Sequence, residues 1–246
     1  MFRTILLAFF FWIIIILYCV LFIPLGLIKL FRAQKLEEKF IILATFSWAH
    51  ILFFLAGRKI VVKGREKIPA HNRICFIGNH QSYADIPVIM GYLGKRVGFI
   101  AKKELSRVPI LNVWIRAVHC VFIDRGQGRQ ALKMIEKGME QITRGYPLVL
   151  FPEGTRAKDG RMKPFKAGGV QMAVRQEITI VPVTIDGMFH IYEEKKRVVP
   201  GTTVITIHDP IDTTGMTREE LKELTPRLEA IVQSALPEQY RITRES

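Results

Sequence analysis

Ile74-Cys75-Phe76-Ile77-Gly78-Asn79-His80-Gln81-Ser82-Tyr83-Ala84-Asp85-Ile86-Pro87-Val88-Ile89 decides the fold. A short apolar run ends abruptly in a polar cluster, and a second apolar run follows, which reads as strand, turn and helix. Turns of this kind are where α/β proteins keep their sites. Working outward, further short apolar runs rich in β-branched or aromatic residues fall at 60–62, 97–101, 120–123, 148–151, 178–185 and 203–207. Their composition suits strands covered on both faces. Between them, 127–144 places Leu132, Ile135, Met139 and Ile142 at helical spacing. From Thr217 onward, Thr217 and Glu220 form a capping-box pattern ahead of Leu221, Leu224, Leu228 and Ile231. Pro226 falls inside that stripe, with Thr225 before it as an N-cap, so a break into two short helices or a kink is expected. The pattern predicts an α/β fold, a single mixed sheet covered by helices, with one domain at 58–246.

Residues 1–57 differ in kind. From Ile5 to Ile28 the chain carries no charge, which is long enough for a bilayer-crossing helix and longer than the apolar core of a signal peptide. No small-residue cleavage site follows it, so the segment is expected to be retained as an anchor. A second apolar stretch, 40–56, comes after a bridge carrying Arg32, Lys35 and Lys39. That bridge and the chain after the second stretch are both basic, so the positive-inside tendency places both on the cytoplasmic side. Either the first stretch crosses once and the second lies in the interface, or the two form a membrane-embedded helical pair within one leaflet. Pro24 would kink the first stretch and favours the hairpin.

The formal net charge of +14 fits attraction to anionic lipid in a chain with an anchor. Nucleic acid is not indicated, because the cations are scattered and no zinc spacing, RNA-recognition signature or basic helix is present. Three cysteines without a C-x-x-C pair point to a reducing compartment and to no structural zinc.

Three polar clusters directly follow strand-like runs. In the first, His80 and Asp85 are five apart, which on a regular helix would turn them away from each other. With His80 in the turn and Asp85 in the first helical turn they can meet. Asp85 would then accept from Nδ1, fix the tautomer and leave Nε2 to take a proton. The bland reading is a pair of capping groups. The second cluster is Phe151-Pro152-Glu153-Gly154-Thr155-Arg156, where a glycine permits a tight turn and Arg156 can bind phosphate through two parallel hydrogen bonds. A solvated turn is its bland reading. In the third, Phe122-Ile123-Asp124-Arg125-Gly126, Arg125 is another candidate anion binder, as are Lys102 and Lys103 at the end of a further strand.

With those blocks assembled, the chain resembles the glycerolipid acyltransferases, and most closely the bacterial 1-acyl-sn-glycerol-3-phosphate acyltransferases. His80 through Asp85 matches the family's H-x4-D motif, Phe122-Ile123-Asp124-Arg125 the second block, Phe151 through Arg156 the third and Val181-Pro182-Val183 the fourth. The resemblance covers roughly residues 55–190 with no departure at a motif position. It implies catalysis by His80 assisted by Asp85, and acceptor phosphate binding near Arg125, Glu153, Gly154, Thr155 and Arg156. It also implies that Pro182 shapes an acyl pocket. The expected partners are membrane lipid, a lysophospholipid acceptor and an acyl thioester on acyl carrier protein or coenzyme A, with no metal or other cofactor. The expected location is the cytoplasmic face of the inner membrane.

The expected reaction is direct transfer to the sn-2 hydroxyl of 1-acyl-sn-glycerol 3-phosphate, with His80 as general base. No G-x-S-x-G elbow is present; Ser82, close to His80, is the alternative nucleophile. Rival readings change the acceptor to glycerol 3-phosphate, a lyso-ornithine lipid or another lysophospholipid, or make the chain a non-catalytic lipid-binding membrane protein.

Overall fold

The computed structural model describes residues 2–123 and 129–242. Three helices come first, α1 (Phe2–Leu17), α2 (Phe22–Leu30) and α3 (Gln34–Ala56). A 3-10 turn, Tyr18–Leu21, separates α1 from α2. It includes Val20, whose carbonyl the Pro24 ring would meet four residues on in a regular α-helix. There follow β1 (Arg58–Lys63), β2 (Ile74–Gly78), α4 (Asp85–Tyr92), β3 (Gly98–Lys102), α5 (Leu111–Ala117) and β4 (Val121–Ile123). The chain ends with α6 (Arg129–Thr143), β5 (Leu148–Leu150), α7 (Ala167–Arg175), β6 (Thr179–Asp186), β7 (Gly201–Ile207) and α8 (Arg218–Ser234).

The strands form one seven-stranded sheet in the order β1-β7-β6-β2-β5-β3-β4. All neighbours are parallel except β6 and β7, which makes the sheet mixed. Its central strand, β2, is buried along its whole length and divides its side chains between two cores. Cys75 and Ile77 pack with Met139 of α6, Val170 of α7 and Leu228 of α8. Ile74 and Phe76 pack on the other face with Phe53 of α3 and Val88 of α4. This two-sided burial is why β2 reads as an unbroken apolar run rather than an alternating one.

Packing crosses the boundary drawn at Gly57, because Ala49, Phe53 and Ala56 of α3 belong to the core of the catalytic region. The helical pair is also held to it by polar bonds at both ends. Glu37 pairs with Arg96 at 2.9 Å and Glu38 accepts from Asn72 at 3.0 Å, while the Val198 N–H donates to Thr4 Oγ1 at 2.9 Å.

In α8 the chain runs through Pro226 as a single helix, so of the two expected outcomes the break into two short helices does not occur. The capping box of Thr217 and Glu220 is present, with bonds of 3.2 and 2.8 Å. A proline inside a helix costs about 3 kcal/mol. Leu224, Leu228 and Val232 are buried on both sides of it, and each buried side chain of that size contributes about 1.5–3 kcal/mol. The packed stripe therefore outweighs the missing N–H.

Candidate active site

The turn after β2 is fixed before it reaches its histidine. Asn79 exchanges two 2.8 Å bonds with the backbone of Ile185 in β6, so its amide extends the sheet by a side chain. Gln81 spans the turn, accepting from Met188 N–H at 3.0 Å and donating to the Gly160 carbonyl at 3.3 Å. Asp85 opens α4 and is fully buried. Its Oδ2 lies 2.7 Å from His80 Nδ1 and accepts the N–H groups of Gln81 and Ser82 at 2.7 and 2.9 Å. Three donors on one oxygen hold the carboxylate rigidly, and the bond from Nδ1–H leaves Nε2 as the basic nitrogen. The Ser82 hydroxyl oxygen accepts the Ala84 N–H at 3.0 Å, the turn-forming use of serine.

The turn after β5 completes the setting of His80. Glu153 Oε1 accepts the His80 N–H at 2.8 Å, and the Ala157 N–H donates to the His80 carbonyl at 2.7 Å. Phe151 lies flat against the imidazole, with ring centroids 4.2 Å apart and planes 9° from parallel. Gly154 turns the chain with a left-handed φ of 71°, a conformation that costs glycine nothing. The resemblance implied a place for Glu153 near the acceptor phosphate, and in the structure its side chain ties the two turns together. Its Oε2 accepts the Lys163 N–H at 3.2 Å, so both oxygens are occupied by backbone donors and the side chain is buried. Burial pushes its pKa up to about 8, against the lowering effect of the two N–H bonds. Gly154 and Thr155 are exposed in the same turn, within reach of a ligand.

Arg156 points across this turn. Its Nη1 lies 3.2 Å from Glu193 Oε1, and its guanidinium carbon sits 3.3 Å from the centre of the Tyr83 ring. Beside it opens an apolar cavity of about 520 Å³ between the helical pair and the catalytic region. Ser82, Tyr83 and Ala84 form its wall at the catalytic turn, and Phe11, Trp48 and Trp114 are among the residues farther along. Pro182 does not line this cavity. It sits within β6 opposite Ile77 of β2, and its carbonyl accepts the His208 N–H at 3.0 Å, so its contribution is to the sheet. Arg125 lies outside the described residues, as does the side chain of Lys102, the residue on which β3 ends.

The structure thus brings His80, Asp85, Glu153, Gly154, Thr155 and Arg156 to adjoining strand ends. Sequence reasoning assigned no role to Phe151, Tyr83 or Glu193. The first two lie inside quoted motifs and were open to suspicion, whereas Glu193 is 37 positions from its partner and carries no local signal.

The family model described as Acyltransferase matches residues 59–186. A 1-acyl-sn-glycerol-3-phosphate acyltransferase of Borreliella burgdorferi is 30% identical over 176 residues, covering 71% of this chain and 70% of the relative. One of Cocos nucifera with the same name is 30% identical over 194 residues, and the chain spans 78% of itself and 62% of that relative's length there. The crystal structure of the 1-acyl-sn-glycerophosphate (LPA) acyltransferase PlsC from Thermotoga maritima superposes with a TM-score of 0.78 at 31% identity, covering 95% of this chain and 94% of that one. The match of the family model to more than half of the chain, together with these relatives, shows that the chain belongs to the acyltransferase family.

Proposed function

We propose that the chain moves a fatty acyl group from an acyl thioester to the sn-2 hydroxyl of 1-acyl-sn-glycerol 3-phosphate, giving phosphatidic acid for phospholipid synthesis. The observation that carries this reading is the 2.7 Å bond between His80 Nδ1 and Asp85, which orients Nε2 as a base on the turn that walls an apolar cavity. The relatives named for this acceptor support the choice of lysolipid.

In the reaction the acceptor oxygen attacks the thioester carbonyl carbon while Nε2 takes its proton, and Asp85 stabilises the imidazolium. The tetrahedral intermediate collapses, the carbon–sulfur bond breaks, and the leaving thiolate takes the proton back from His80. No cofactor beyond the donor is required by these steps, and either acyl carrier protein or coenzyme A can carry the thioester. Arg156 binds the acceptor phosphate through its remaining N–H groups. The cavity takes an acyl chain.

The membrane places the acceptor and product beside the site. Arg3–Leu30 and Gln34–Ala56 are each long and apolar enough to cross. The polar bonds of Thr4, Glu37 and Glu38 nevertheless hold the start of α1 and the start of α3 against the catalytic region, which supports a one-leaflet hairpin at the cytoplasmic face. The test is transfer by the purified protein across a panel of acceptors with both donor types. Phosphatidic acid from 1-acyl-sn-glycerol 3-phosphate is the expected product. Faster use of a phosphate-free or amino-acid acceptor would refute the acceptor assignment.

A further inference from the structure

Glu193 belongs to none of the motif blocks, yet it joins two of them. Its side chain is 3% exposed and stands at the wall of the apolar cavity. Oε1 accepts the Tyr83 N–H, in the catalytic turn, at 3.1 Å and Arg156 Nη1, in the turn after β5, at 3.2 Å. Oε2 has no hydrogen-bond partner among the described residues. A buried carboxylate with one oxygen unsatisfied is a poor device for stability, because desolvation offsets much of the attraction to its partner. The segment carrying it is tied down as well, since Met188 just upstream donates its N–H to Gln81 of the catalytic turn.

Arginine side chains lose about 2 kcal/mol of rotamer freedom when fixed, and an arginine already fixed spares a ligand that cost. Here Glu193 holds one edge of the Arg156 guanidinium and Tyr83 covers one face. The guanidinium has five N–H donors, and Glu193 occupies one, so donors remain for an anion. The same carboxylate grips the backbone three residues after His80.

We propose that Glu193 is a positioning residue for the acceptor phosphate, fixing Arg156 at a set separation from the His80 base. This rests on the reading of Arg156 as the phosphate-binding group.

The test measures kcat and KM for 1-acyl-sn-glycerol 3-phosphate in the full-length protein and in Glu193→Ala, Glu193→Asp, Glu193→Gln, Arg156→Ala and the Glu193→Ala/Arg156→Ala double variant. Glu193→Ala is expected to raise the acceptor KM about tenfold, the scale of one lost hydrogen bond to a charged group, with kcat changing less. Glu193→Asp, which keeps the charge and loses the reach, should do the same and serves if the alanine variant does not fold. Glu193→Gln, whose amide oxygen can accept both bonds, should hold KM within about threefold of the unmodified protein. In the Arg156→Ala background, Glu193→Ala should add no further rise in KM. A fall in kcat with KM unchanged, or effects of the two alanine changes that multiply, overturns the proposal. An Arg156→Ala variant with normal acceptor KM overturns the phosphate reading itself, and the Glu193 proposal with it.

Discussion

His80 is held through four of its parts, and the turn after β5 supplies three of the partners. Glu153 takes its N–H, Ala157 its carbonyl and Phe151 its ring face, while Asp85 takes Nδ1. Only Nε2 remains for chemistry. The Asp85 contact was legible in the sequence because a five-residue offset allows one geometry at the end of a strand. The Glu153 contact was not, because its partner His80 lies 73 positions away and an acid beside Arg156 carries no local sign of burial. That burial has a consequence for stability. The folded protein keeps Glu153 protonated to about pH 8, whereas the unfolded chain releases the proton near its ordinary value of 4.5. The stability from this group is therefore complete below pH 4.5 and is lost as pH rises through 8. The melting temperature should fall between about pH 4.5 and about pH 8, and Glu153→Gln should flatten that fall. Parallel melting curves for the two proteins across the range would contradict the assignment.

At the scale of elements, α3 is both an anchor helix and part of the catalytic core. It crosses α4 at Ala49, where Gly91 lets the two backbones approach so closely that a Cβ on Gly91 would collide with that of Ala49. Gly91→Ala should destabilise the protein by about 1–3 kcal/mol, the usual cost of overpacking, as measured by chemical denaturation in detergent. A stability unchanged within error would mean that the helical pair is docked more loosely than the contact implies. All seven strands were legible from apolar runs bounded by turns, because a sheet covered on both faces leaves little ambiguity of pattern. The fate of Pro226 was not, since a local rule about proline cannot see the buried stripe on either side of it. Nor could sequence place Pro182, whose neighbours come from β2 and the residue following β7.

For the whole molecule, the anchor geometry was left open by charge alone and is narrowed by contacts between distant parts of the chain. Among the described residues, 15 of the 18 exposed large hydrophobic side chains, from Ile5 to Phe54, belong to the helical pair, which marks that face as the one facing lipid. Single cysteines at Arg3, Gln34 and Lys158, in a background lacking Cys19, Cys75 and Cys120, should all be protected from an impermeant reagent outside intact cells. Labelling at Arg3 alone would show a single crossing, and labelling at Gln34 would show two. Acyl transfer itself is read directly from product formation. Purified protein given acyl thioester and 1-acyl-sn-glycerol 3-phosphate should yield phosphatidic acid and free thiol in equal amounts, and His80→Ala should lower that rate about 10²- to 10⁴-fold while keeping its melting temperature. A folded His80→Ala protein with near-normal turnover, or an unmodified protein that makes no phosphatidic acid from either donor, would contradict it.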